Sequence, residues 1–207
     1  MAKPPDLKMI FRETALKGAF VIEPELKEDE RGFFARAWCQ RELAAHGLNP
    51  NVVQANLSYN RHRHTLRGMH YQKPPNEETK LVRCIRGAIY DVIVDLRAGS
   101  PTYRQWVGVT LSAENRHMIY VPEGFAHGFQ TLEDDSELFY LMTEFYTPGA
   151  ETGARWDDPA FGIRWPEAGT RIISDRDRNW PLLEPTPRQA MQGGTDNVGS
   201  GKLQAKG

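Results

Sequence analysis

The sequence has little cysteine, almost no net charge and no long hydrophobic run. Its two cysteines, Cys39 and Cys84, are too few for a disulfide framework and are not spaced as metal ligands. A formal net charge of −1 provides no overall positive field that would attract nucleic acid. No apolar run is long enough to span a bilayer, and the N-terminus lacks the apolar core of a secretory signal. We therefore expect a cytoplasmic protein with reduced thiols and no nucleic-acid or membrane partner.

The length and composition are those of one globular domain. The chain has 207 residues, of which 40% are hydrophobic and 26% are charged. Residues 1–186 are predicted to form this single domain. Residues 187–207 are rich in glycine and polar side chains with little apolar surface to bury, so they are predicted to form a flexible tail.

Short runs of strand-forming residues, separated by turn residues, fill the middle of the chain. The predicted strands cover 19–23, 33–38, 51–58, 66–72, 80–86, 88–95, 104–111, 117–121, 125–132 and 137–146. Arg86-Gly87 is predicted to close a hairpin. Helix is predicted only over 39–47, for one turn after Ser112, and as a turn or short helix over 173–177. Many short strands with few helices predict an all-β fold, a sandwich or barrel, with residues 156–166 packing across it as an ordered loop.

Two histidines, His70 and His127, lie inside apolar strands next to glycine. Each could be a hydrogen-bonded core residue, a metal ligand or a general base. Pro122, Gly124 and His127 resemble the second metal motif of cupin jelly-roll barrels. The first cupin metal motif is incomplete, because Gln72 follows His70 where a second histidine is needed. The pattern therefore favours the cupin fold more than a metal site.

A histidine that acts as a base needs a carboxylate to orient its second ring nitrogen. Spacing does not choose between the available carboxylates, which are Asp91, Asp95, Asp157, Asp158, Asp175 and Asp177. Tyr140 lies in another apolar strand, as either a core tyrosine with a satisfied hydroxyl or a proton donor.

Cationic and amide side chains also occur on predicted strands. By strand alternation, Lys80 shares a face with Val82 and Cys84, so it needs a bound anion or a route to water. Arginine suits phosphate recognition, and lysine suits a developing oxyanion. The same alternation gives Gln54, Asn56 and Ser58 a common polar face. It also places Arg67 and His70 on opposite faces. Both could still serve one site if Gly68 marks a β-bulge, or if Arg67 reaches the site from its rim.

A series of motifs in this order resembles one enzyme family. The motifs are RGFF, NLSYN, LRGMHYQ, KLVR, VDLR with SPTY, LSAEN, VPEGFAHGF, WDDPAFGIRWP and ISDRD, over about residues 10–185. They are similar to the dTDP-4-dehydrorhamnose 3,5-epimerases, metal-free cupins of nucleotide-sugar metabolism. The expected fold is therefore a cupin-type jelly-roll β-barrel with a few short helices.

The resemblance also implies roles for individual residues. His70 matches the general base, Asp177 the aspartate that orients it, and Tyr140 the acid on the opposite face of the sugar. Lys80 and His127 match positions close to the sugar, with Lys80 stabilising the enolate oxygen. The positions that match substrate or nucleotide contacts are Arg31, Gln54, Asn56, Arg67 and Glu151. No metal or cofactor is implied, and the family is dimeric, with an N-terminal strand that reaches the neighbouring subunit.

One residue departs from the family pattern. The family usually has a glutamate that contacts the nucleotide where this chain has Arg36. A single-centre epimerase, or one acting on a CDP- or GDP-linked 4-keto sugar, is therefore the nearest alternative to a dTDP-dependent 3,5-epimerase. A metal-dependent cupin and a non-catalytic sugar-binding module are the more distant alternatives.

Overall fold

The computed structural model describes residues 7–183, and the predicted tail over 187–207 lies outside that range. The first part of the chain forms the strands β1 (Met9–Glu13), β2 (Phe20–Pro24), β3 (Leu26–Asp29) and β4 (Gly32–Ala35), then helix α1 (Gln40–Ala45) and strand β5 (Gln54–Asn60). The central strands are β6 (Leu66–Gln72), β7 (Lys80–Arg86), β8 (Ala88–Asp95), β9 (Trp106–Ser112) and β10 (Met118–Val121). The last elements are β11 (Phe125–Thr131), β12 (Ser136–Met142), β13 (Glu151–Gly153) and helix α2 (Asp175–Arg178).

These strands build two antiparallel sheets and a separate hairpin. One sheet has six strands in the order β1-β2-β10-β7-β12-β5, and the other has five in the order β13-β6-β11-β8-β9. Strands β3 and β4 form the hairpin. Consecutive strands therefore alternate repeatedly between the two sheets, and the all-β, cupin-like fold predicted from the sequence is confirmed.

The main hydrophobic core lies between the two sheets. Val82 and Cys84 enter it from the six-stranded sheet, and Ile89, Ile93 and Phe125 enter it from the five-stranded sheet. This arrangement confirms that Lys80, Val82 and Cys84 share an inward face. The Cys84 thiol donates to the backbone carbonyls of Arg86 and Gly87, and burial raises its pKa to about 11, so Cys84 is a packing residue.

Part of the outer face of each sheet is also covered. Leu43 of α1 packs with Met9, Ile22 and Met118 on the six-stranded sheet. The loop predicted over 156–166 places Phe161, Ile163 and Trp165 against the outer side of the five-stranded sheet. Strand β8 is therefore buried on both faces, which explains its nearly continuous apolar sequence.

The turn after β8 is held by a buried carboxylate. Asp95 accepts hydrogen bonds from the Arg97 side chain and from the hydroxyls of Ser100 and Thr102. Burial by itself would raise the pKa of Asp95, but these donors outweigh it and lower the pKa to about 2. The SPTY motif thus stabilises the connection between β8 and β9.

Strands β6, β7 and β8 have the predicted bounds, but the hairpin at Arg86-Gly87 is wrong. Strand β7 pairs with β10 and β12, whereas β8 pairs with β9 and β11. Gly87 has a φ of +69° and takes the chain from one sheet to the other. A Cβ at this position would lie 2.6 Å from the Ser136 hydroxyl oxygen, so the crossover has no room for a side chain.

Three strands, β1, β3 and β13, were missed because none carries a clear alternating pattern. Strand β3 is mainly charged, and β13 has only 3 residues.

The helical turn predicted after Ser112 is wrong. Ser112 and Asn115 instead exchange two side-chain to backbone hydrogen bonds that close a turn. Helix α2, in contrast, confirms the prediction over 173–177. No helix within residues 7–183 is long and apolar enough to cross a membrane.

Candidate active site

A cavity of about 380 Å³ opens between the two sheets and is lined by polar side chains. It brings together most of the residues singled out in the sequence, namely Gln54, Asn56, Arg67, His70, Lys80, His127, Tyr140 and Glu151. The polar face predicted for Gln54, Asn56 and Ser58 forms part of the wall. The inward faces of the strands are thus apolar where the sheets pack together and polar around the cavity.

His70 is held by a buried aspartate. Its Nε2 lies 2.6 Å from Oδ1 of Asp177, and the Gly68 backbone N–H donates to Oδ2 at 3.2 Å. Burial by itself would raise the pKa of Asp177, but the hydrogen bond and charge of His70 outweigh it and lower that pKa. Within residues 7–183 no group bonds the other ring nitrogen, Nδ1. The ring is therefore oriented from behind and has one nitrogen available to a ligand.

Helix α2 places Asp177 behind His70. The Ser174 hydroxyl accepts a hydrogen bond from the Asp177 backbone N–H and caps the helix. One turn later, Trp180 lies edge-on to the His70 ring, with the ring centroids 6.4 Å apart. Gly153 pairs with His70 in the sheet and leaves space for the Trp180 indole. The aspartate is thus held by a cap on one side and by packing on the other.

A β-bulge brings Arg67 and His70 to the same wall. His70 pairs with His127, but Arg67 pairs with Phe129, so three steps along β6 match two steps along β11. Gly68 lies within the bulge with a φ of +125°, and a Cβ there would lie 2.6 Å from the Gly128 Cα. The predicted bulge is confirmed. Asn60 then orients Arg67 by accepting its Nε hydrogen bond at 2.8 Å.

Lys80 and His127 are each paired with a buried carboxylate. The Lys80 Nζ lies 2.7 Å from Oε1 of Glu78, and the His127 Nε2 lies 2.9 Å from Oδ2 of Asp91. Burial raises the pKa of Asp91 above its ordinary value, although His127 and Lys80 act in the opposite direction. Burying a charge is costly unless it is paired, and both contacts meet that requirement.

Tyr140 faces the cavity from β12, in the six-stranded sheet, whereas His70 belongs to the five-stranded sheet. The two side chains therefore approach the cavity from opposite walls. Burial raises the pKa of Tyr140, with Arg67 lowering it and Glu78 and Glu151 raising it. Its hydroxyl consequently stays protonated at neutral pH and can act as a proton donor.

A cluster of hydrogen-bonded polar side chains lies at the mouth of the cavity. Glu151 accepts a hydrogen bond from the Tyr146 hydroxyl at 2.9 Å and forms an ion pair with Arg176 at 2.7 Å. Gln54 donates to the Asn56 side chain at 3.0 Å and accepts from the Tyr146 backbone N–H. These contacts connect β5, β13 and α2 around the opening.

Two arginines considered from the sequence lie away from this cavity. Arg31 is exposed on the β3–β4 hairpin, where it pairs with Asp29, so within one chain it is not part of the site. Arg36 donates to the Leu7 carbonyl and pairs with Glu42 of α1 at 2.5 Å. Arg36 therefore ties the N-terminal segment to the helix.

Sequence reasoning did not identify Glu78, Tyr146, Arg176 and Trp180 as site residues. Of these, Tyr146 and Glu78 line the cavity, and Glu78 is only 7% exposed. Glu78 could have been noticed as a partner for Lys80, but it lies in an irregular connection where no periodicity predicts burial. Asp91 had a stronger signal, since it is a charged residue in the middle of an apolar strand.

The chain is similar to known proteins over most of its length. A family model described as dTDP-4-dehydrorhamnose 3,5-epimerase matches residues 13–185. The chain is 47% identical over 179 residues to the dTDP-4-dehydrorhamnose 3,5-epimerase of Methanothermobacter thermautotrophicus, covering 86% of this chain and 96% of that protein.

Solved structures are similar over the same part of the chain. A dTDP-4-dehydrorhamnose 3,5-epimerase from Bacillus anthracis, with TDP and PPi bound, is 44% identical with a TM-score of 0.82, covering 85% of this chain and 100% of that one. A 3′-monoepimerase from Streptomyces bikiniensis, in complex with dTDP-quinovose, is 36% identical with a TM-score of 0.76, covering 82% of this chain and 85% of that one. Among residues 7–183, His, Cys, Asp and Glu side chains form no cluster of three or more that could hold a metal ion.

The packing of Trp180 on Gly153 can be tested by Gly153→Ala. A Cβ there would lie 2.3 Å from Cε2 of Trp180, so the indole must move, and α2 with it. Overpacking of this kind costs about 1–3 kcal/mol, and calorimetry should show a melting temperature lower by several degrees. Gly169→Ala is the matched control, because a Cβ there meets nothing within 4 Å. A Gly153→Ala protein that melts like the wild type would contradict the described packing.

Proposed function

Because the chain belongs to the dTDP-4-dehydrorhamnose 3,5-epimerase family, we propose that it inverts C3 and C5 of dTDP-4-dehydro-6-deoxy-D-glucose. The product is dTDP-4-dehydro-L-rhamnose. The observation that carries this proposal is the placement of a His–Asp pair and a half-buried tyrosine on opposite walls of one cavity. Inversion requires removal of a proton from one face of a carbon and delivery of a proton to the other.

The substrate makes this chemistry accessible without a redox step. The carbonyl at C4 acidifies the C–H bonds at C3 and C5, so a base can remove either proton and leave an enolate. The electron pair of the broken C–H bond moves into the C–C bond, and the negative charge develops on the C4 oxygen. A cation fixed close to that oxygen stabilises the charge.

We assign the base to His70 and its orientation to Asp177. The 2.6 Å contact from Nε2 to the carboxylate leaves Nδ1 to accept the proton. The negative charge of Asp177 then stabilises the imidazolium that forms. We assign stabilisation of the enolate oxygen to the Lys80 ammonium, with His127 as a further donor that faces the same cavity from the five-stranded sheet.

Tyr140 is assigned as the acid. Its hydroxyl is protonated at neutral pH, because the ordinary pKa of a tyrosine lies well above 7 and burial raises it further. The side chain faces the cavity from the sheet opposite His70. Donation of its proton to the carbanionic carbon completes the inversion. Proton exchange with water then restores His70 and Tyr140 before the second centre reacts.

The remaining side chains of the wall are proposed to bind the nucleotide part of the substrate. Arg67 has the guanidinium geometry that suits the diphosphate, and Asn60 holds it in place. Gln54, Asn56 and Glu151 supply hydrogen-bonding groups at the mouth of the cavity.

We also propose a homodimer, in which Arg31 contacts the nucleotide in the partner's cavity. In support, Arg31 lies on a hairpin whose Phe33 and Phe34 are 50% and 69% exposed, and Leu57 on edge strand β5 is 63% exposed. A sedimentation mass of one chain would contradict this assembly.

A cytoplasmic location is also proposed, because both cysteines are free thiols. Cell fractionation would test this location.

A single-centre epimerase is the second candidate. It is favoured by the similarity to the 3′-monoepimerase from Streptomyces bikiniensis, which is 36% identical. Arg36, which motivated this alternative, is engaged by Leu7 and Glu42 within the chain. The two candidates differ only in whether one carbon or both exchange their protons.

If His70 is the base, the His70→Asn variant should lose turnover but still bind the nucleotide. Loss of a general base should lower kcat by about 10²–10⁴-fold. Affinity for dTDP, measured by calorimetry, should change little, because His70 faces the reacting carbon. His62→Asn, which changes an exposed histidine outside the cavity, is the control. Parallel loss of dTDP binding and turnover would identify His70 as a structural residue instead.

Tyr140→Phe should separate proton removal from inversion. His70 can still remove a proton and return it to the same face, so exchange of C–H protons with heavy water should continue. Net epimerisation, followed by NMR of the sugar, should fall by about 10²-fold or more. A variant that epimerises at the wild-type rate would rule out Tyr140 as the acid.

A further inference from the structure

We propose that Glu78 is a positioning residue, whose carboxylate fixes the Lys80 ammonium where the enolate oxygen develops. This inference rests on the proposed function, since it concerns the same reaction. Glu78 acts through Lys80 and not on the reacting carbons. The proposal gives a reason for burying a carboxylate in the wall of a cavity that receives a negatively charged substrate.

The geometry of Glu78 connects the two sheets at this cavity. Its Oε2 accepts the Gln72 backbone N–H at 3.1 Å, which anchors the carboxylate to β6. Its Oε1 lies 2.7 Å from the Nζ of Lys80, which comes from β7 in the other sheet. Lys80 in turn donates to the His70 carbonyl at 3.4 Å. The ammonium is therefore tied to the strand that carries the proposed base.

The ion pair between Lys80 and Glu78 is buried, so its loss would not be compensated by water. The side chains of Lys80 and Glu78 are 10% and 4% exposed, so water can replace little of the pairing. A lysine has a long, flexible side chain, and a cation stabilises an oxyanion best when its position is set before the reaction. Without the carboxylate, Lys80 would have to find another partner or move toward water, and either change displaces it from the sugar.

The neighbouring charges are consistent with this role. Tyr140 faces the same cavity from β12, and the negative charge of Glu78 contributes to raising its pKa, as does Glu151 on β13. Arg67 on β6 acts in the opposite direction. His70, His127 and Asp91 are the other titratable groups around the Lys80 ammonium. Glu78 thus places a cation for the enolate and helps to keep the tyrosine protonated.

The kinetic test compares Glu78→Gln with Glu77→Gln. Glutamine keeps the size of the side chain but removes the charge, and a displacement of about 1 Å in a catalytic group can cost about 10²-fold. We expect kcat of Glu78→Gln to fall by about 10–100-fold, with KM, dTDP affinity and melting temperature close to those of the wild type. Glu77 precedes it in the chain but does not line the cavity, so Glu77→Gln should behave as the wild type.

A double-mutant cycle shows whether Glu78 acts through Lys80. Lys80→Gln removes the cation and keeps a donor for Glu78. If the two residues act as a unit, adding Glu78→Gln to Lys80→Gln should lower kcat by less than about threefold. Additive losses, or a loss of melting temperature and dTDP binding in step with kcat, would overturn the proposal.

An NMR measurement tests the positioning without relying on turnover. A buried, ion-paired ammonium exchanges slowly with water, so the wild type should show a Lys80 ¹⁵N–¹H signal that is missing in Lys80→Gln. The signal should be lost or shifted in Glu78→Gln and retained in Glu77→Gln. An unchanged signal in Glu78→Gln would overturn the proposal. A wild type without epimerase activity would instead refute the proposed function, leaving the NMR result to decide the placement of Lys80.

Discussion

The cavity depends on one constraint, that charged groups brought between two packed sheets must be paired. Three buried carboxylates meet this requirement: Asp177 pairs with His70, Asp91 with His127, and Glu78 with Lys80. An unpaired charge in this position would cost several kcal/mol, and each partner also fixes the direction of the side chain it holds. The same contacts that make burial tolerable therefore orient the groups that face the sugar.

The constraint explains why distant parts of the chain converge here. Asp177 comes from a short helix 107 residues after His70, and it reaches the site because Ser174 caps that helix and Trp180 packs on Gly153. The β-bulge at Gly68 adds Arg67 to the wall that holds His70. The partner of His70 is therefore set by contacts that lie outside the strand carrying the histidine.

Much of this architecture could be predicted from the sequence. Strict alternation placed Lys80 with Val82 and Cys84, and Gln54 with Asn56 and Ser58, and both sets face inward. The bulge was one of two explanations suggested by the glycine in LRGMHYQ together with the family's use of both Arg67 and His70. The family resemblance, confirmed by the match to residues 13–185, selected Asp177 from six aspartates that spacing did not distinguish.

The parts that could not be predicted depend on contacts between distant segments. A short link such as Arg86-Gly87 predicts a hairpin between the two strands that it joins. Here those strands belong to different sheets, and packing across the core decides which sheet each one joins. Glu78 lies in an irregular connection, so its burial and its pairing with Lys80 appear only when β6 and β7 face each other. Arg31 is the opposite case. The family resemblance identified it as a substrate contact, but within one chain it pairs with Asp29 and does not reach the cavity.

The central claim is that one cavity exchanges the protons at two carbons of the same sugar, with each proton removed from one face of its carbon and returned to the other. The most direct measurement is deuterium incorporation from heavy water into dTDP-4-dehydro-6-deoxy-D-glucose, with C3 and C5 followed by NMR. Deuterium is expected at both carbons, together with formation of the inverted sugar. Deuterium at only one carbon would contradict the 3,5-epimerase assignment and identify a single-centre enzyme, and its absence from both carbons would contradict the proposed substrate.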